Sequence, residues 1–102
     1  MPYKVQFLEI AKQDKNQIKN YLQRFYPGTP KKFIEKLKEC IHNIKTMPYM
    51  YPVYEHDPDY RKIVIRNYLA FYTINEEKKI LEIHRILPGT WDLSRYFENK
   101  GY

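Results

Sequence analysis

Hydrophobic and polar positions alternate at the start of the chain, and the period then changes. Tyr3, Val5 and Phe7 are separated by Lys4 and Gln6, a period of two that predicts a short half-buried strand. From Ile10 onward the apolar positions Ile18, Tyr21, Leu22 and Phe25 recur at steps of three and four, which makes one face of a helix. The other face carries Lys12, Lys15, Lys19 and Arg24. Pro27-Gly28 ends this helix, because neither residue continues it well. Thr29 suits an N-cap and Pro30 suits a first helical position. Phe33, Leu37, Cys40, Ile41 and Ile44 form a second apolar stripe that runs to about Met47, and Pro48 stops it. Two amphipathic helices with a tight joint predict a helical hairpin packed on a sheet.

Met47 to Tyr60 is a loop broken by three prolines and decorated by Tyr49, Tyr51 and Tyr54. It reads as a structured crossover whose tyrosines cover the edge of the core, ahead of a recognition loop. The period of two then returns. Arg61–Arg66 is a first strand, with Ile63 and Ile65 on one face and Lys62, Val64 and Arg66 on the other. Asn67 turns the chain into Tyr68–Ile74. The polar run Asn75-Glu76-Glu77-Lys78 makes a hairpin turn. Ile80–Leu87 is apolar on both faces, as a central strand is. Pro88-Gly89 ends it, and Trp91–Phe97 reads as a short final helix or turn. The expected fold class is α+β: an N-terminal strand, a two-helix hairpin, a three-stranded antiparallel run forming one sheet, and a short C-terminal helix.

A length of 102 residues fits one domain spanning residues 1–102, with room for one modest core. The formal net charge of +6 is unevenly placed. Residues 1–50 hold ten Lys/Arg against four Asp/Glu, whereas residues 51–102 hold eight against eight. A basic N-terminal half favours nucleic acid, the ribosome or an acidic protein partner, and for any single lysine a solvated helical surface suffices. The single cysteine, Cys40, excludes an intrachain disulfide and fits a reducing cytosol. It lies on the second helical stripe, so it is expected to be a small core residue. No signal peptide or membrane span is visible, and a cytoplasmic location is expected.

Few residues suggest chemistry. His42, His56 and His84 are far apart and no Cys/His pair has ligand spacing. With three glycines there is no phosphate-cradling loop, and no cofactor is implied. Metal-independent cleavage of RNA by its own 2′-hydroxyl would need a base, an acid and cations on the phosphate. Arg66, His84, Arg85 and Tyr96 are the catalytic candidates, with Arg61 and Lys62 as substrate-binding cations. Arg66 either serves such a site or pairs with a carboxylate such as Glu82. His84 and Arg85 point to opposite faces of a regular strand. Alternation groups Arg85 with Leu81, Ile83 and Leu87, and His84 with Ile80, Glu82 and Ile86. A histidine among apolar neighbours is more often a hydrogen-bonded core residue, and Tyr96 beside Phe97 is more often packing.

The order of elements and two stretches, YRKIVIRNYLAFYTI and IHRILPGTWDLSRYF, resemble the RelE/ParE superfamily, the plasmid-stabilisation toxins of type II toxin–antitoxin systems. The second stretch resembles the family's habit of closing its last strand with a hydrophobic–Gly–basic–Asp-Leu run. The resemblance covers essentially the whole chain and implies a growth inhibitor neutralised by a cognate antitoxin. RelE-like members cleave mRNA on the ribosome, and ParE-like members poison DNA gyrase without being nucleases. Arg66 matches the strand arginine that the nucleases use on phosphate, and Tyr96 lies near a contributing C-terminal aromatic. Gly89-Thr90-Trp91-Asp92 stands where the nucleases place an Arg or His, and only Lys62 answers to their paired lysines. These departures favour a ParE-like or otherwise diverged toxin over a ribosome-dependent endoribonuclease; a non-toxic RNA-binding or interaction domain of the same fold is the third alternative. The partners implied are the antitoxin and either gyrase or the ribosome with its mRNA, with a homodimer also open.

Overall fold

The computed structural model describes residues 2–90. The chain forms β1 (Lys4–Phe7), α1 (Glu9–Phe25), α2 (Pro30–Thr46), β2 (Arg61–Ile65), β3 (Tyr68–Asn75) and β4 (Ile80–Pro88). The class is α+β, as the change of hydrophobic period predicts. The C-terminal helix expected over Trp91–Phe97 lies outside the described residues.

The four strands make one sheet in the order β1-β4-β3-β2. β2, β3 and β4 form the expected antiparallel run, and β1 joins β4 in parallel. A parallel neighbour needs a long crossover, and the α1–α2 hairpin is part of that crossover. β4 is therefore central, as its two apolar faces require.

One face of the sheet carries the main core. Ile63, Ile65, Ala70, Tyr72, Leu81, Ile83 and Ile86 meet Ala11 and Ile18 of α1 and Phe33, Leu37, Cys40 and Ile44 of α2. Burying each large aliphatic or aromatic side chain is worth about 1.5–3 kcal/mol, so this layer holds the hairpin to the sheet. Cys40 is a core residue, as its stripe position predicts. Tyr72 is fully buried, and its hydroxyl donates to the Pro48 carbonyl at 2.6 Å. That bond ties the start of the crossover loop to the middle of β3. On the opposite face, Tyr54, Phe71 and Leu87 form a smaller cluster, with Tyr60 and Leu69 against it. The loop thus does cover a sheet edge: Tyr51 and Tyr54 pack, while Tyr49 stays exposed.

Four details differ from the sequence reading. Tyr21 and Phe25 lie off the buried stripe of α1, which runs through Ala11, Asp14 and Ile18. Thr29 occupies the N-cap of α2 without capping it; its hydroxyl donates back to the Tyr26 carbonyl at 2.6 Å. Arg66 is not the end of β2. It is the first residue of the two-residue turn after Ile65 and has φ +57°. Finally, β4 does not alternate strictly. Phe71 pairs with Arg85, but Tyr72 pairs with Ile83, so one extra residue, His84, is accommodated between them. An inserted residue resets the side-to-side pattern. Ile86 thereby rejoins Leu81 and Ile83 on the helix face, while Leu87 falls in the other cluster.

Candidate functional site

The sequence-predicted cations end in three separate neighbourhoods. Arg85 reaches α1: its Nε and a terminal nitrogen donate to the two carboxylate oxygens of Asp14 at 2.8 and 3.0 Å. The same carboxylate accepts the Ile86 backbone N–H at 2.9 Å. Asp14 is only 7% exposed. Its two oxygens therefore serve a bidentate ion pair and a backbone donor of β4 beyond Ile83, where the pairing with β1 ends. Asp14 was not singled out in the sequence. The available signal was a carboxylate on the apolar stripe between Ala11 and Ile18, a place that a charge occupies only when partnered.

Arg61 and Lys62 are engaged by the crossover loop. Arg61 donates to the Tyr51 and Tyr49 carbonyls at 2.7 and 3.3 Å, and its guanidinium lies 4.9 Å from the Tyr49 ring centre. The Lys62 ammonium sits 3.0 Å from a Glu55 oxygen and 6.0 Å from the Tyr54 ring centre. Glu55 is held below the usual carboxylate range by its own backbone N–H and then by Lys62. Both cations order residues 49–55 against β2.

His84 lies on the side of the sheet that faces this loop. Its Nε2 is 2.9 Å from the Thr73 hydroxyl, and its ring meets Tyr60 edge-on at 5.1 Å. It is a partnered, half-buried histidine, in line with the packing reading.

Arg66 stands apart from all of these. Its left-handed backbone turns it toward α2, where it lines an open cleft with Lys32, Glu35, Lys36 and Glu39. Among the described residues Arg66 makes no ion pair, with Glu82 or any other carboxylate. Lys36 is satisfied locally by Glu39 at 3.4 Å. The sequence does not single out Lys32 or Lys36, since nothing in a linear sequence says that the β2–β3 turn approaches α2. Tyr96 lies outside the described residues. Arg66, His84 and Arg85 are thus not brought into one cluster, and no described cation besides those of α2 lines the cleft with Arg66.

A further polar cluster closes the far end of the sheet. The Tyr3 hydroxyl donates to Glu76, and Lys79 lies 3.6 Å from Glu76 and 5.1 Å from the Tyr3 ring centre. Tyr3, then Tyr49, hold Glu76 below the usual carboxylate range. This clasp joins β1, the β3–β4 turn and the crossover loop.

Comparison with known proteins accords with this architecture. Residues 5–92 match the family described as the ParE toxin of the type II toxin–antitoxin system parDE. The chain belongs to this ParE toxin family. A chromosomal ParDE system from P. aeruginosa aligns with TM-score 0.70 at 15% identity, covering 84% of this chain and 95% of that one. A mutant of the E. coli toxin RelE in the free state gives 0.68 at 19% identity, covering 94% and 93%. The archaeal RelE of the RelE–RelB complex from Pyrococcus horikoshii gives 0.64 at 15%, covering 88% and 98%. At such identities these structures share the fold. No curated protein sequence matches the chain significantly. Among the described residues no helix is long and apolar enough to cross a membrane.

Proposed function

We propose that this chain is a growth-inhibiting toxin that acts by binding a target protein, with DNA gyrase the first candidate, and that a cognate antitoxin neutralises it. The family supports the toxin class. The observation that carries the mode of action is the state of the cations: Arg85 is taken by Asp14, and Arg61 and Lys62 are taken by the crossover loop. A nuclease of this fold would need several of them free around one phosphate. Induced expression should arrest growth, and co-expression of the neighbouring small open reading frame should restore it. Purified protein should inhibit gyrase supercoiling at stoichiometric ratios. Growth arrest with unaffected supercoiling would overturn the gyrase assignment.

One observation favours a second reading, cleavage of mRNA on the ribosome. Arg66 holds a left-handed conformation that costs a non-glycine residue about 1–2 kcal/mol, at a turn position where glycine is preferred. Strain of this kind is often kept for the sake of a side chain. Loss of toxicity in Arg66→Ala, together with mRNA cleavage in a translating extract, would establish this reading in place of the first.

A further inference from the structure

The outer face of α1 carries a side-chain pattern that neither the core nor the Asp14–Arg85 pair uses. The buried stripe of this helix runs through Ala11, Asp14 and Ile18. On the opposite side Gln13, Asn16, Asn20 and Gln23 are all exposed. Their spacing of three, four and three sets the four amides in one row, about 15 Å long at a rise of 1.5 Å per residue. A row of cations lies beside it. Lys12, Lys15 and Lys19 repeat the spacing of three and four. Lys12 and Lys19 are exposed, and Lys15 is half-buried with its ammonium 5.2 Å from the Phe7 ring centre. Gln17 and Arg24, both exposed, flank the amides on the other side.

The charge around these rows has one sign. From Ile10 to Ile34 the single carboxylate is Asp14, and it is buried against Arg85. Glu9, 3.9 Å from Lys12, is the acidic residue of the first turn. The second helix differs: its lysines are interspersed with Glu35 and Glu39, and Lys36 lies 3.4 Å from Glu39. The positive field is therefore concentrated on α1 and the start of α2, where it would draw in a polyanion.

The chemistry of the rows separates the polyanions. Centres of protein interfaces are rich in aromatic side chains and Met and depleted of lysine, whereas the two rows hold only lysines and amides. Lys, Asn and Gln donate to phosphate oxygens, and Asn and Gln also read the edge of adenine. Single-stranded nucleic acid needs ring faces on which bases stack, and the rows offer none. Between the two kinds of duplex, the major groove of B-DNA, about 12 Å wide, admits an α-helix. The major groove of A-form RNA is too deep and narrow for side chains to read. A row of about 15 Å spans about four base pairs of B-DNA at 3.4 Å per step.

We propose that the outer face of α1 docks on duplex DNA, with the amide row over the major groove and Lys12 and Lys19 on the flanking phosphates. The proposal goes beyond the toxin reading and does not depend on the target, because it concerns naked duplex. The test is fluorescence anisotropy on the full chain across a salt series. The labelled probes are a DNA duplex of about two helical turns, an RNA duplex and a DNA single strand of the same sequence, and polyglutamate. The DNA duplex should bind best. Lys12→Gln/Lys19→Gln should lower the slope of log affinity against log salt by about 1.8, since each lost phosphate contact contributes about 0.9. Asn16→Asp/Asn20→Asp should weaken binding by placing carboxylates in the amide row. Lys38→Gln/Lys45→Gln removes the same charge from exposed positions of α2 and should leave the slope unchanged. All substituted positions are exposed, and circular dichroism checks that each variant is folded. An equal loss of slope in both lysine variants would overturn the proposal, because net charge alone would then hold the DNA. So would no binding of the DNA duplex, or binding of the RNA duplex, the single strand or polyglutamate as tight as that of the DNA duplex. Growth arrest and supercoiling are read separately, so failure of the toxin reading is distinguishable.

Discussion

At the scale of single residues, two buried polar groups set how this protein responds to mutation and pH. Asp14 holds the Arg85 guanidinium and the Ile86 N–H together. Removing one partner of a buried pair strands the other, at a cost of about 3–5 kcal/mol. Asp14→Ala should therefore destabilise the fold by about 3 kcal/mol in chemical denaturation, and Asp14→Leu combined with Arg85→Met should cost less than either single change. Tyr72 is the second group. Burial pushes its phenol from 10.0 up to about 12. The folded state thus holds this proton more tightly than the unfolded chain does. The stabilisation is fully present below pH 10 and is lost as pH rises from 10 toward 12. Tyr72→Phe should flatten that alkaline loss in melting temperature, and should cost about 1–3 kcal/mol at neutral pH by leaving the Pro48 carbonyl unpaired.

At the scale of elements, the instructive case is the β2–β3 hairpin. The strands were legible because Ile63, Ile65, Ala70 and Tyr72 keep a period of two across both of them. The turn was not legible in detail, because its φ +57° residue is an arginine where glycine would be the usual signal. Arg66→Gly should therefore leave stability unchanged or raise it by up to about 1 kcal/mol, the relief of backbone strain being partly offset by glycine's entropy. If Arg66 acts on phosphate, the same variant loses toxicity while remaining folded, so denaturation and growth assays together separate the two roles. β4 teaches a related lesson. Its apolar content revealed a central strand, but alternation alone misassigned Ile86 and Leu87, because nothing in the sequence marks the extra residue at His84.

At the scale of the whole molecule, charge is segregated more than its total suggests. The excess of +6 arises entirely in residues 1–50, which contain the helical hairpin. Association with an acidic partner should depend on this surface through the rate of encounter. Its on-rate should fall steeply between low and physiological salt while the off-rate changes little, which stopped-flow or surface-binding kinetics will show. A salt-independent on-rate would mean that the basic helical surface takes no part in recognition.

The sequence by itself determined the six described elements, the central place of β4 and the core role of Cys40, and its resemblance pointed to the toxin superfamily. The elements and the core follow from local periodicity, and the superfamily from the resemblance of two stretches and the order of the elements. Tertiary structure alone decided the pairing of β1 with β4, the capture of Arg85 by Asp14, and the turning of Arg66 toward Lys32 and Lys36. It also left Tyr21 and Phe25 outside the core. Each of these depends on which surfaces meet across many residues. A helical period shows that a face exists but cannot show how wide a stripe the sheet will cover. Here the sheet covers Ala11, Asp14 and Ile18 and leaves the aromatic end of α1 to solvent.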